Sequence, residues 1–314
     1  MIVDAHAHIF PNVRGMTSAG PTSGIGYGRI MVGTEIQQLI PPYGPETIFT
    51  PQMLIANLDW AGVERAVLLQ GPFYGECNSY LLEALELYPS RLCGLAYLDP
   101  WEDGARELLE PVITDSAFKG IKLECSVATG LCGIHPGARL DSPEIRWLWK
   151  EMEDRRLTLV LDLGKVGSAS YQTNAVRAIA EHHPALKIVI AHLGQPGLEI
   201  EKTSALWELW KEQIDLGKLS NVWFDCAALP AYYPQENFPF PSAAKYLQMA
   251  IDRIGPSKVM WGSDQPGLLS HASLPQLVKM IQLHLEFLPP DEQALVLGEN
   301  AMRVFDIKDA RILR

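Results

Sequence analysis

Two histidines one residue apart, His6 and His8, end the apolar run IVDAHAHIF, with Asp4 just ahead of them. Further along, IVIAHLGQP ends an apolar run in His192, VMWGSDQP ends another in Asp264, and GIKLECS carries Lys122 and Glu124 two residues apart. If each run is a strand, its period of two puts Asp4, His6 and His8 on one face. By the same rule His192 shares a face with Ile188 and Ile190, and Lys122 shares one with Glu124. Imidazoles and carboxylates that converge at strand exits have the chemistry of a hydrolytic metal site. They hold a divalent ion, leave one position for water and lower that water's pKa to about 7. An adjacent carboxylate then takes the proton, and Asp264 is the natural one, as ligand, general base or both.

Such convergence needs a scaffold that gathers strand exits at one end. Eight apolar or β-branched runs are present, at Val3–His8, Ala66–Gln70, Cys93–Leu98, Gly120–Glu124, Thr158–Leu163, Lys187–His192, Trp223–Ala227 and Lys258–Gly262. Amphipathic helical stretches separate them, which is the pattern of a parallel sheet covered by helices. Ser142 and Pro143 have the form of an N-cap and first helical residue, with Ile145, Leu148 and Met152 following at helical spacing. Tyr246, Leu247, Ala250, Ile251 and Ile254 repeat that spacing, and helices at Leu274–Leu288 and Asp291–Phe305 complete an outer ring. The expected fold is an α/β (β/α)8 barrel, one domain over residues 1–314, with its active site at the C-terminal face.

Two long connections belong on that face. Pro11–Pro51 contains RIMVGTEIQQLIPP, which predicts a small hairpin, and ALPAYYPQENFPFPS follows the seventh strand. Their length predicts a lid or pocket wall. Loop position makes Arg29, Tyr74, Arg139, Tyr232, Tyr233 and Phe238 substrate-contact candidates, with His135 of CGIHPGARLDSP and Lys122 beside them. His182 and His183 sit near a helix end, where the dipole favours a cation, and read as structural. Trp207 and Trp210 read as core.

The 314 residues are 47% hydrophobic and 20% charged, as expected of a globular chain with a large core. A net charge of -11 with no basic run argues against a nucleic-acid surface. No apolar stretch approaches the ~18 residues of a membrane span, and the N-terminus enters a strand at once, so a cytoplasmic protein with a small-molecule partner is expected. A homo-oligomer is left open. Five cysteines without a Cys-x-x-Cys pair fit a reducing compartment and disfavour a zinc-thiolate site.

VDAHAHIF, IVIAHLGQP, MWGSDQP and the closing LGENAMRVF, in this order across nearly the whole chain, resemble the amidohydrolase superfamily, in the branch called amidohydrolase family 2. QGPFYGECNSYLLEALELYPSRLCGLAYLDP is similar to the second and third strand region of that branch. The resemblance implies a distorted (β/α)8 barrel with one divalent metal, zinc before manganese or another ion. It implies His6 and His8 as ligands, Asp264 as the metal-linked acid/base, and His192 as a ligand or as the group that polarises a substrate carbonyl. One position departs from the pattern. The fifth strand, LTLVLDLG, has Asp162 where many members have a histidine ligand. Asp162 is then an oxygen ligand, or Glu124 completes the site, or metal binding is weak or absent. Either carboxylate could instead orient an imidazole or pair with Lys122. The aspartate resembles that of the lactonase members, some of which work without a metal. The expected function is hydrolysis of a small ester, lactone or amide by metal-activated water. The alternative is non-oxidative decarboxylation of an aromatic or unsaturated carboxylate, whose enzymes keep the fifth-strand histidine; an inactive binding barrel comes third.

Overall fold

The computed structural model describes residues 1–114 and 117–308, so residues 309–314 of the domain expected over 1–314 lie outside the described residues. Its strands in chain order are β1 (Val3–Ala7), β2 (Met16–Thr17), β3 (Gly20–Gly26), β4 (Arg29–Val32) and β5 (Glu35–Gln38). There follow β6 (Arg65–Leu68), β7 (Leu92–Tyr97), β8 (Phe118–Glu124), β9 (Thr158–Asp162), β10 (Lys187–Ile190), β11 (Val222–Asp225) and β12 (Val259–Met260). Eight of these pair in parallel in the order β1-β6-β7-β8-β9-β10-β11-β12. Ala5 N donates to Trp261 O at 3.0 Å and His8 N to Gln265 O at 2.8 Å, which brings the last strand back to the first. With helices between the strands, this is the expected (β/α)8 barrel.

The strands are apolar on both faces because both are covered. Val67, Leu69, Cys93, Leu95, Val160, Val189, Ala191 and Met260 fill the interior, and Ala301, Val304 and Phe305 of the last helix plug its lower end. Val304 O there accepts from Thr158 Oγ1 and Lys187 Nζ. The alternate residues, such as Leu68, Ile121, Leu161 and Ile190, pack against the helices. Strands β8 and β9 approach closely at Gly120, where a Cβ would stand 1.8 Å from Thr158 O, so only glycine fits.

Two of the places where the alternation fails matter for the site. On β1, Asp4 pairs with Ala66 but Ala7 pairs with Leu68, so three steps on one strand face two on the other. This bulge leaves Val3 and Ala5 in the barrel interior and sends Asp4 to the opposite side, away from the face of His6 and His8. Asp4 accepts instead from Ser263 N at 2.7 Å and Gln265 Nε2 at 2.9 Å, and burial pushes its carboxyl up to about 6. On the sixth barrel strand, β10 stops at Ile190, and His192 and Leu193 take left-handed φ values of 57° and 51°. His192 therefore leaves the face of Ile188 and Ile190, contrary to simple alternation.

The predicted hairpin is β4–β5, widened by β3 and β2 into a four-stranded antiparallel sheet. Ser142 does not cap its helix: its hydroxyl has no partner, and a 3-10 turn (Pro143–Ile145) precedes the helix Arg146–Asp154. The helix expected over 291–305 is a helix with a π segment at Leu295–Glu299. Trp210 is core with Trp207 against it, and His183 Nδ1 bonds Glu153, in keeping with structural roles. Among the described residues no helix is long and apolar enough to cross a membrane.

Candidate active site

Each imidazole of the His pair is fixed by a bond at Nδ1. His6 Nδ1 lies 3.0 Å from Asp225 Oδ2, and His8 Nδ1 donates to Leu69 O at 2.8 Å. Burial, then the positive charge of Lys122, pushes His6 well below the usual imidazole range, and burial lowers His8 as well. Both rings are neutral, so with Nδ1 as the donor each presents a lone pair at Nε2. Those lone pairs face one carboxylate: Asp264 Oδ1 lies 3.1 Å from His8 Nε2 and 3.7 Å from His6 Nε2. Two lone pairs and an anion at these distances repel unless a cation or proton lies among them. The donor set therefore fits a divalent ion, and ligand atoms of His6, His192 and Asp264 lie within 4.8 Å of one another.

Asp264 is carried on backbone at φ 57°, and its N donates to His6 O at 2.8 Å. Burial would raise its carboxyl, but the charged His192 and the nearby His6 and His8 rings hold it at about 2. Left-handed backbone at a non-glycine residue costs about 1–3 kcal/mol and is concentrated at functional sites; it occurs here at both His192 and Asp264.

His192 enters from the opposite wall. Its N donates to Asp225 Oδ1 at 2.9 Å, and its Nε2 lies 3.2 Å from Asp162 Oδ2. Burial opposes the charged imidazole, but Asp162 outweighs it and raises His192 to about 9. Burial likewise opposes the Asp162 carboxylate, which His192 and Lys122 nevertheless hold below its ordinary range. Asp162 Oδ1 also accepts from Gln195 Nε2 at 2.9 Å. The residue standing in the expected histidine's place is thus the counter-ion of His192.

Glu124 accepts from Ser126 N at 2.8 Å and Thr129 Oγ1 at 3.1 Å. Burial, then the Asp162 carboxylate, pushes it up to about 7 from an ordinary 4.5. A carboxyl raised on folding stabilises the fold below the unfolded value, and that stability is lost as pH rises through about 7. Glu124→Gln, which cannot ionise, is therefore expected to melt about 3 °C above wild type at pH 8 and level with it at about pH 4, below the unfolded value, in chelator-treated protein. An equal difference at both pH values in thermal melts would contradict this.

While His6 is fully buried, His8, Lys122, Glu124, Asp162, His192 and Asp264 line a cavity of about 220 Å³ together with Tyr74, whose ring stacks on Phe10. That is below the ~300 Å³ floor of ordinary ligand pockets and suits a single-ring molecule. Gln195 and Tyr232 border a second cleft of about 420 Å³. His6, His8, His192, Asp264, Asp162, Glu124, Lys122 and Tyr74 are thus brought together. Other sequence candidates are not: His135 is held by Asp99 at 2.7 Å, Arg29 is exposed on β4, and Arg139 pairs with Asp141. Tyr233 is buried against Pro196 O, and Phe238 is exposed. Sequence reasoning missed Asp225, which ties His6 to His192, and Gln195. Asp225 does close the run VWFD at a strand exit, as Asp162 closes TLVLD, and that signal could have found it.

A histidine pair on the first barrel strand, a histidine after the sixth and an aspartate after the eighth define a (β/α)8 protein with an imidazole–carboxylate centre. The Amidohydrolase family model matches residues 3–307, and the chain belongs to that family. It is 24% identical to the 4-sulfomuconolactone hydrolase of Hydrogenophaga intermedia over 309 residues, 96% of this chain and 88% of that protein. It is 25% identical to the L-fucono-1,5-lactonase of Burkholderia ambifaria over 268 residues, 82% of this chain and 86% of that one. Among solved structures, an amidohydrolase from Burkholderia multivorans with bound zinc matches with a TM-score of 0.71 at 16% identity, covering 98% of this chain and 100% of its own.

Proposed function

We propose that the chain, acting as one catalytic domain, hydrolyses a small cyclic carboxylic ester. The observation that carries this reading is Asp264, an ionised carboxylate facing the lone pairs of His6 and His8 at the cavity floor. His6, His8 and Asp264 would hold one divalent ion, zinc first, with His192 at its edge; such an ion supplies Lewis acidity and eases deprotonation of water.

Asp264 takes the proton of the attacking water and returns it to the leaving alkoxide, so that ring opening yields a hydroxy acid, whose new carboxyl ionises near neutral pH and releases one proton to solvent. The charged His192 and Lys122 face the oxygen on which negative charge develops. Asp162 keeps His192 charged and aimed, which a histidine in its place would not do. Both curated relatives are named for lactone substrates, which supports the ester over an amide. The acidic chain and its free cysteines support a cytoplasmic enzyme acting on a small molecule rather than on nucleic acid.

The test is turnover of a lactone panel by zinc- or manganese-loaded protein, followed by proton release, with aromatic carboxylates assayed in parallel for carbon dioxide. Saturable lactone hydrolysis is expected. Carbon dioxide release without lactone turnover would replace this reading with decarboxylation.

A further inference from the structure

Lys122 projects from β8 into the barrel, is 3% exposed, and places its ammonium nitrogen 3.3 Å from His6 Nε2. Asp225 takes the proton side of the His6 ring, so Nε2 can only accept. The ammonium therefore donates to the same lone pair that a divalent ion would use. One lone pair cannot serve both, and two cations at such a distance in a buried site repel strongly. An escape route exists, because the cavity wall beyond Lys122 carries Glu124 and Asp162.

We propose that Lys122 is a resident cation that competes with the divalent ion for His6. In the ion-free protein it satisfies the His6 lone pair and offsets the surrounding carboxylates. Ion binding displaces it toward Asp162 and Glu124, so part of the ion's binding free energy is spent on moving the lysine. Loading the ion thereby delivers an ammonium to the wall that a substrate oxygen faces. This rests on His6 being an ion ligand, as in the reading above.

The test uses the full chain without substrate. Wild type, Lys122→Met and Lys122→Arg, stripped of metal, are titrated with zinc and with manganese against a chromophoric chelator. Lys122→Met keeps most of the stem and removes the charge; it is expected to bind zinc at least about tenfold more tightly than wild type, whereas Lys122→Arg stays within about threefold of it. The ion-free Met variant should also melt below wild type and gain more from added zinc. Zinc affinity equal to or weaker than wild type in a cooperatively melting Met variant overturns the proposal. Should that variant fail to fold, Lys122→Gln carries the same comparison with the same two outcomes. A chain whose ion affinities change as expected but which opens no lactone refutes the hydrolase reading alone. Hydrolysis with ion affinities indifferent to Lys122 refutes the competition alone.

Discussion

Asp264→Asn is expected to lower kcat/KM for lactone hydrolysis by about 1,000-fold while leaving the fold intact. The amide cannot accept the water proton, and it sets a neutral group rather than an anion against the two Nε2 atoms of the His pair. The backbone is undisturbed, because asparagine tolerates the left-handed φ of 57° as well as aspartate does, and the bond from the residue's N to His6 O does not involve the side chain. A second signature separates this loss from mere unfolding. The Asp264 carboxyl is held at about 2, below its ordinary 3.8, so its contribution to stability is present above the unfolded value and lost as pH falls through about 2. In ion-free protein the variant should therefore melt below wild type at pH 7, the gap narrowing toward pH 2. Steady-state kinetics and melts on the same preparation check both. Activity within tenfold of wild type would remove Asp264 from the reaction.

Asp225 gives the second large effect, through an atom that never meets substrate. Its Oδ1 accepts from His192 N at 2.9 Å and Ala227 N at 3.1 Å, and its Oδ2 faces His6 Nδ1 at 3.0 Å. In Asp225→Asn the two backbone N–H groups keep the amide oxygen at the Oδ1 position, so the NH₂ must face His6. Nδ1 then becomes the acceptor, the ring proton moves to Nε2, and the lone pair turned toward the site disappears. Ion affinity is expected to fall by about 10–100-fold with the fold retained. Asp225→Ala is harsher, because it leaves three buried donors without a partner at about 1–3 kcal/mol each, and a loss of cooperative folding is expected. Chelator-competition titration of the Asn variant is decisive: wild-type ion affinity would mean that Asp225 does not set the His6 tautomer.

The sequence made the barrel legible because parallel strands buried on both faces read as uninterrupted apolar runs, and eight such runs leave few alternatives. His6, His8 and Asp264 were legible for the same reason: each lies where a run ends. What stayed hidden was backbone detail. The bulge between Asp4 and Ala7 has no marker such as glycine, and it moved Asp4 to the wrong side for the site. The left-handed turn at His192 is equally unmarked, because nothing in AHLG says which of its residues leaves the strand region first. Arg29 and His135 show the limit of arguing from loop position: a loop fixes which face a residue visits, not whom its side chain meets. For His135 that partner is Asp99, distant in sequence and apparent only once the third and fourth strand exits are adjacent.

The seam between β1 and β12 has a consequence for biosynthesis. His8 and Asp264 stand 256 residues apart in sequence and 3.1 Å apart in space, and they meet only when the final strand docks against the first. Every incomplete nascent chain that lacks the eighth barrel strand therefore carries its histidines without their carboxylate. Closure of so long a loop comes late and adds non-local contacts, which slow folding. Catalytic competence should thus appear in one step at the end of folding, and a chain ending before Asp264 should have none of it however much barrel it has built.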